Sequence, residues 1–421
     1  MKRWRLMSVV WCRRRKRGVA PTAIAALAVL AAATLSLIAP GVRASDLHVA
    51  GSAQVDEFFV PTQLNDPTPG NGLYIFDGLT LETSVKVAAD VSDHLSANVK
   101  VCFGCHGFEL DMAYFDFRVA DEFNIRAGRF SPSFGSFNLR HDVANHKLSD
   151  KPLPYDMGRM LRLRSWNLGI LPSPFPDTGV EINGTHWFGD SVQVDYAVYA
   201  VQGFRSNATN PIDLDFRLSH LWQPSLSYFV DNNGRPTVGA RVAVTAKLDE
   251  RSDLTIGASG MYGTYDSLNT LSYVIAGGDI SLRVARTFLR FEYLVRRTQV
   301  DTSDPMQFAQ PLTLPVDNFF LKQGAYVELE QPILRELDLI GRVDGMYRTG
   351  NYPAQDVDVL IVQTPTLSTN SSVIRYTLGM SWLIERSLRL KLSGELWQFS
   401  DKNDDGKSRE VGLHAGLVGT F

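Results

Sequence analysis

From residue 46 to the last residue, apolar side chains alternate with polar or small ones along most of the chain. In 387–397, Leu388, Leu390, Leu392, Gly394 and Leu396 share one face, against Arg389, Lys391, Ser393, Glu395 and Trp397. In 288–295, Leu289, Phe291, Tyr293 and Val295 alternate with Phe288, Arg290, Glu292 and Leu294. The chain ends on Val411, Leu413, Ala415, Leu417, Gly419 and Phe421, set against Gly412, His414, Gly416, Val418 and Thr420. A period of two places successive side chains on opposite faces of a strand, and almost nothing here has the helical period. The pattern predicts about sixteen strands, an even number. They fall near 46–59, 74–90, 94–103, 108–119, 123–131, 178–188, 191–202, 236–248, 251–264, 271–285, 286–299, 317–331, 335–349, 371–385, 387–400 and 409–421.

A soluble sandwich also alternates, so the two faces have to be compared. Charged residues lie opposite bulky aliphatics, which suits water on one side and lipid on the other. Short connections (91–93, 120–122, 189–190, 249–250) follow even-numbered segments, and long ones (60–73, 132–177, 203–235, 300–316, 350–370, 401–408) follow odd-numbered ones. The fold class this predicts is all-β: a transmembrane antiparallel β-barrel in the outer membrane of a Gram-negative bacterium. Both termini and the tight turns then sit at the periplasmic end. Phe58, Phe59, Tyr74, Phe76, Trp187, Phe188, Phe319, Phe320, Trp382, Trp397 and Phe399 lie near predicted strand ends, where interfacial aromatic girdles form. Strand preference alone would also place aromatics there.

Composition changes the picture at the N-terminus. The chain has 421 residues, 42 basic and 45 acidic side chains, and a mean hydropathy of −0.08. Residues 1–44 hold nine of the basic residues and no acidic one, so the remainder carries about 33 basic against 45 acidic groups. Met1 to Arg17 is basic, Gly18 to Pro40 is uncharged and rich in Ala and Leu, and Val42-Arg43-Ala44 offers small residues before Ser45. That layout predicts a secretory signal cleaved after Ala44, with an uncleaved anchor as the alternative. Residues 45–421 then form one barrel domain. Its acidic balance argues against nucleic acid as a partner, since phosphates need a basic face.

Met112-Ala113-Tyr114-Phe115-Asp116-Phe117-Arg118 is followed by a turn and by Asn124-Ile125-Arg126-Ala127-Gly128-Arg129-Phe130-Ser131-Pro132-Ser133-Phe134-Gly135. The Ala-Tyr-x-Asp strand and the Arg-Ala-Gly-x-Phe-x-Pro-x-Phe-Gly strand resemble the phosphate-selective porin O/P family over residues 112–135. The resemblance implies a channel for small hydrophilic solutes or ions, with 132–177 folded into the lumen as a constriction loop. Arg126, Arg129, Arg140, Lys147, Lys151, Arg159, Arg162 and Arg164, with His141 and His146, face only Asp142, Asp150 and Asp156 in this stretch. Such a basic cluster concentrates anions in a narrow lumen. The alternative is that these cations pair with lumen carboxylates and leave selectivity unaffected. Selectivity for phosphate itself does not follow.

Cys102-Phe103-Gly104-Cys105-His106 has the spacing of covalent haem c attachment, with His106 as axial ligand and Met112, His141 or Met157 as distal candidates. A Cys102–Cys105 disulfide is the rival, and free or metal-bound thiols a third reading. A haem would make the chain a barrel component of an outer-membrane electron conduit; the channel reading requires no cofactor. Asp401-Lys402-Asn403-Asp404-Asp405-Gly406 begins like a calcium loop, but Gly412 stands where the bidentate Glu belongs. No catalytic motif is present, so no enzyme activity is expected. The remaining expected partners are outer-membrane lipid, small ions or solutes, and further copies of the chain, as a trimer.

Overall fold

The computed structural model describes residues 46–60, 79–104, 107–156, 169–171, 173, 175–204, 233–299, 319–350, 370–400 and 407–421. The expected signal, Tyr74, Phe76, Cys105, His106, Met157, Arg159, Arg162, Arg164 and the 401–406 segment lie outside them.

Sixteen strands follow in chain order: β1 (Asp46–Phe59), β2 (Leu79–Ser92), β3 (Leu95–Gly104), β4 (Gly107–Ala120), β5 (Phe123–Phe130), β6 (Asp177–Phe188), β7 (Val192–Val201) and β8 (Thr237–Asp249). The second half comprises β9 (Ser252–Thr264), β10 (Ser272–Val284), β11 (Thr287–Gln299), β12 (Phe319–Pro332), β13 (Leu337–Gly350), β14 (Asn370–Glu385), β15 (Leu388–Phe399) and β16 (Arg409–Thr420). Each pairs antiparallel with its chain neighbours, and β1 pairs with β16 from Ser52↔Thr420 to Phe59↔Leu413, closing a sixteen-strand barrel. Closure removes both sheet edges and pairs the backbone groups between strands, which is what a hydrocarbon surround requires.

The alternation read from the sequence sorts to the two faces as expected. Val55, Leu81, Val99, Phe115, Ile182, Val198, Ile256, Phe291, Val327, Tyr376, Leu396 and Leu413 stand on the outer wall, each about 40–60% exposed in the bare protein. Ionisable residues lie inside: Asp56, Glu181, Arg296 and Arg375 are fully buried, and Lys322, Arg342, Asp344 and Lys391 nearly so. Water-soluble proteins show the opposite arrangement. With bulky aliphatics outward on almost every strand, the wall is a lipid-facing surface.

Four of the expected girdle aromatics among the described residues lie on the inward face, Trp187 being one of them, opposite Gln193 and under Lys247. Phe58, Trp397 and Phe399 are 2%, 0% and 3% exposed and face the lumen. Phe58 stacks on His414 at 4.4 Å between ring centroids, and the Arg375 guanidinium lies 4.9 Å from the Trp397 ring centroid. The cause is strand parity: Trp397 shares its face with Glu395 and Lys391, and Phe58 shares one with Asp56. Phe188 and Trp382 do stand on the outside, at 60% and 48% exposure.

Candidate channel lumen and its inner loop

Beyond Phe130 the chain leaves the wall and turns into the barrel. Gly135 adopts the left-handed region at φ +64°, and a Cβ there would collide with the Tyr155 hydroxyl and the Glu292 carboxylate. Two short 3-10 turns, Asn138–Arg140 and Leu153–Tyr155, follow. Pro152 and Pro154 cannot donate to a sheet ladder, and Pro152 instead accepts from Tyr155 N at 2.8 Å. Gly169 N and Leu171 N then donate to Asp156 O and Pro154 O at 2.9 and 3.1 Å, joining the two legs of the loop. Phe134, Phe137, Tyr155, Ile170, Leu171 and Phe175 pack with Phe130, Tyr199, Met261, Tyr273, Leu294 and Tyr326 of the wall into one buried cluster.

The polar seats that hold the loop to the wall among the described residues include these four. Glu292 of β11 accepts from Ser136 N at 2.7 Å, Phe137 N at 3.1 Å, Tyr326 Oη at 3.0 Å and the Tyr155 hydroxyl. Glu181 of β6 accepts from Ser133 N at 2.8 Å and Ser133 Oγ at 3.1 Å. Lys391 of β15 donates to Val143 O at 2.7 Å and Leu148 O at 3.3 Å. The fourth seat is a buried charge network. Arg342 Nη2 reaches Asp150 Oδ2 at 2.6 Å, and Arg375 contacts Asp150, Asp344 and Glu395. His414 stands between Glu395 at 3.3 Å and Asp56 at 3.5 Å. Asp344 also accepts from Leu153 N at 3.0 Å.

Burial opposes ionisation of Asp150, yet the Arg342 and Arg375 guanidinia hold its carboxyl well below the usual carboxylate range. His141 and His146 are 5% and 4% exposed, and their Nδ1 atoms meet Asn138 O and Leu148 O at 2.6 and 2.8 Å. A ring nitrogen facing a carbonyl oxygen carries the proton, so each Nδ1–H donates and the other nitrogen is left without one. Burial pushes the His146 pKa well down, and the nearby Lys391, Lys151 and Arg140 push it further. Burial likewise lowers that of His141, with Lys100 adding to the effect.

Of the basic cluster singled out in the sequence, Arg126, Arg140 and Lys147 meet carboxylates, while Arg129 and Lys151 meet backbone carbonyls. Arg126 pairs with Asp116 at 2.9 Å and Glu181 at 3.2 Å. Arg140 lies 3.7 Å from Glu328 and donates to Tyr326 Oη at 3.2 Å. Lys147 pairs with Glu330 and with Asp338, the latter at 2.8 Å. Arg129 donates to Leu110 O at 3.0 Å, and Lys151 to Ser173 O at 2.6 Å. The wall carboxylates that accept these cations, with Glu292, Arg342, Asp344 and Arg375, were not singled out from the sequence. Their signal was inward parity on strands that also carry outward aliphatics.

Cations without a carboxylate partner among the described residues lie elsewhere on the inner wall. Lys86 shares the face of Ser84, Arg118 that of Asp116, Lys247 that of Arg241, and Arg389 that of Lys391. Lys247 rests over the Trp187 ring at 4.5 Å, and Arg389 donates to Ser381 Oγ at 3.2 Å. Accessible inward carboxylates that meet no lysine or arginine among the described residues include Glu82, Asp195, Asp46 and Asp90. Cys102 also faces inward as a free thiol, donating to Asp111 Oδ2 at 3.5 Å. The β3–β4 ladder runs to Gly104↔Gly107, and Cys105 and His106, the two residues between, lie outside the described ones.

No family model matches the chain, and no curated protein does. Solved structures do. Salmonella typhi OmpF in complex with daunomycin superposes with a TM-score of 0.51 at 11% identity, over 89% of this chain and 97% of that one. An anion-selective porin from Comamonas acidovorans gives 0.49 at 11% identity, over 89% and 99% of the two chains. The outer-membrane channel DcaP of Acinetobacter baumannii gives 0.46 at 11%, over 89% and 97%. At such identities the likeness is one of fold. A closed sixteen-strand barrel with a lipid-facing wall and a charged interior is an outer-membrane barrel of porin type, located in the outer membrane of a Gram-negative bacterium.

Proposed function

We propose that the protein is a passive diffusion channel for small hydrophilic solutes and ions, narrowed by the inner loop within 132–177, and that it favours anions. The observation that carries the channel reading is the loop itself: a closed barrel holds a long segment against its own polar wall at Glu292, Glu181, Lys391 and the Arg342–Arg375 network. The resemblance of residues 112–135 to the phosphate-selective porin O/P family supports the same reading and gives the loop its role as constriction. Anion preference rests on Lys86, Arg118, Lys247 and Arg389, accessible inward cations without a carboxylate partner among the described residues, which share the wall with the carboxylates Glu82, Asp195, Asp46 and Asp90. In a low-dielectric lumen, unpaired cations placed along the path attract anions.

Conductance and reversal potential in planar bilayers under a KCl gradient test both statements. Discrete ohmic steps with a chloride-sided reversal potential are expected. Lys86→Glu with Arg389→Glu moves the reversal potential toward potassium by several-fold in permeability ratio, whereas Lys147→Gln, which removes an already paired cation, does not. A purified, folded barrel with no conductance overturns the channel; a potassium-sided wild-type potential overturns the anion preference alone. Processing after Ala44 and association into trimers belong to the same proposal, and N-terminal sequencing and chemical cross-linking of the membrane-extracted protein check them.

A further inference from the structure

At the periplasmic start of β1, Asp46 and His48 lie two residues apart on the inward face of the strand. Asp90 of β2 is the direct ladder partner of Asp46, two residues along from Ala88, which faces His48. One ligand atom from each of Asp46, His48 and Asp90 lies within 4.8 Å of the others, and His48 Nε2 is 3.9 Å from Asp90 Oδ2. Side chains directly opposite or two apart on one face converge in this way because their Cβ atoms are only about 5–8 Å apart. We propose that Asp46, His48 and Asp90 bind a borderline divalent cation of the zinc or copper(II) type, and that the ion staples the free start of β1 to β2.

Two features of the fold point to an ion rather than to a chance cluster. Asp46 and Asp90 are carboxylates facing each other in an antiparallel pair, an arrangement that repels unless a cation lies between them. The seam supplies the second. β16 pairs with β1 only from Ser52, and Phe421 and Gly51 exchange backbone hydrogen bonds of 3.0 and 3.1 Å as its last contact. Asp46 to Ala50 therefore have β2 as their only ladder partner among the described residues. A strand end paired on one side frays most easily, and a ligand that bridges its side chains to the neighbouring strand opposes that fraying. Two carboxylate oxygens with one imidazole nitrogen suit zinc and copper(II) better than calcium or magnesium, which take oxygen ligands. Water completes the coordination, since the His48 side chain is 69% exposed and that of Asp90 37%. The bound ion places its positive charge at the periplasmic mouth, where the empty site presents two carboxylates.

The experiment uses the full-length protein, free of any histidine tag, folded in detergent with its cysteines alkylated. Zinc titration by calorimetry is expected to show one equivalent, and copper(II) resonance spectra to show coupling to a single imidazole nitrogen. His48→Gln and Asp90→Asn, with folding verified by heat-dependent gel mobility, each weaken zinc at least tenfold, and His48→Gln removes the nitrogen coupling. Zinc also raises the unfolding temperature of the wild type and leaves that of His48→Gln unchanged. Absence of zinc binding by the folded wild type overturns the proposal, as does binding that persists unchanged in both variants.

Discussion

Arg375 illustrates how a single residue holds this interior together. Its guanidinium is fully buried and meets Asp150, Asp344 and Glu395, while its face lies on Trp397. Removing one member of a buried charge network leaves the others without a counter-charge and typically costs about 3–5 kcal/mol. Arg375→Met is expected to destabilise the barrel by that order in urea unfolding. Lys147→Gln loses its pairs with Glu330 and Asp338 from a more exposed position and costs less than Arg375→Met. Equal effects would contradict the burial difference. At this scale the sequence was half informative. Alternation placed Lys391, Glu395 and Trp397 on one face, yet the strand-end position of Trp397 suggested a girdle aromatic. Parity decided the outcome, because an aromatic on the charged face of a strand cannot reach lipid. The four accessible inward cations carry no local motif, and only the finished register separates them from the paired ones.

The inner loop was legible as an element, by its length and by the motif that precedes it, but its partners were not. Asp150 meets Arg342, and Tyr155 meets Glu292, across 192 and 137 positions of chain. Sequence periodicity cannot couple residues so far apart. The cations Arg126, Arg140 and Lys147 consequently read equally well as selectivity groups or as fasteners, and the structure sets each of them against wall carboxylates. The loop also carries a pH dependence. His141 and His146 are held below their ordinary value near 6.5 by burial first and by neighbouring cations second. As pH falls below about 6.5 the unfolded chain takes up protons that the seated loop refuses, so stability drops with decreasing pH until the folded pKa is reached. Each histidine contributes about 1.4 kcal/mol per pH unit across that window. Urea midpoints between pH 7.5 and 5 are expected to decline, and His146→Gln flattens part of that decline. A midpoint independent of pH over this range would show that the ring is not held neutral.

For the whole molecule, the period of two was sufficient to anticipate sixteen strands and their order, because in a lipid-facing barrel each strand is an independent amphipathic record of inside and outside. Closure is the one feature that alternation leaves unstated, and its last contact is made by a few atoms. The ladder between β1 and β16 ends where Gly51 N donates to Phe421 O and Phe421 N to Gly51 O. The Phe421 ring lies over Gly51 so that a Cβ there would overlap it and crowd Ser84 O, and glycine at 51 lets the final aromatic seat in this position. Gly51→Leu forces the ring off and opens the end of the seam, and deleting Phe421 removes both hydrogen bonds together with the ring. Net worth per hydrogen bond is about 1 kcal/mol, and the ring, itself 70% exposed, covers Gly51. Both variants are therefore expected to refold into detergent with a lower unfolding temperature and a smaller fraction of compact, heat-modifiable barrel. Gly51→Ala, with its single methyl, lies between them and the wild type. If Gly51→Leu folds as completely and melts as high as the wild type, the seam closes without the Phe421 seat, and the ladder from Ser52 onward is enough.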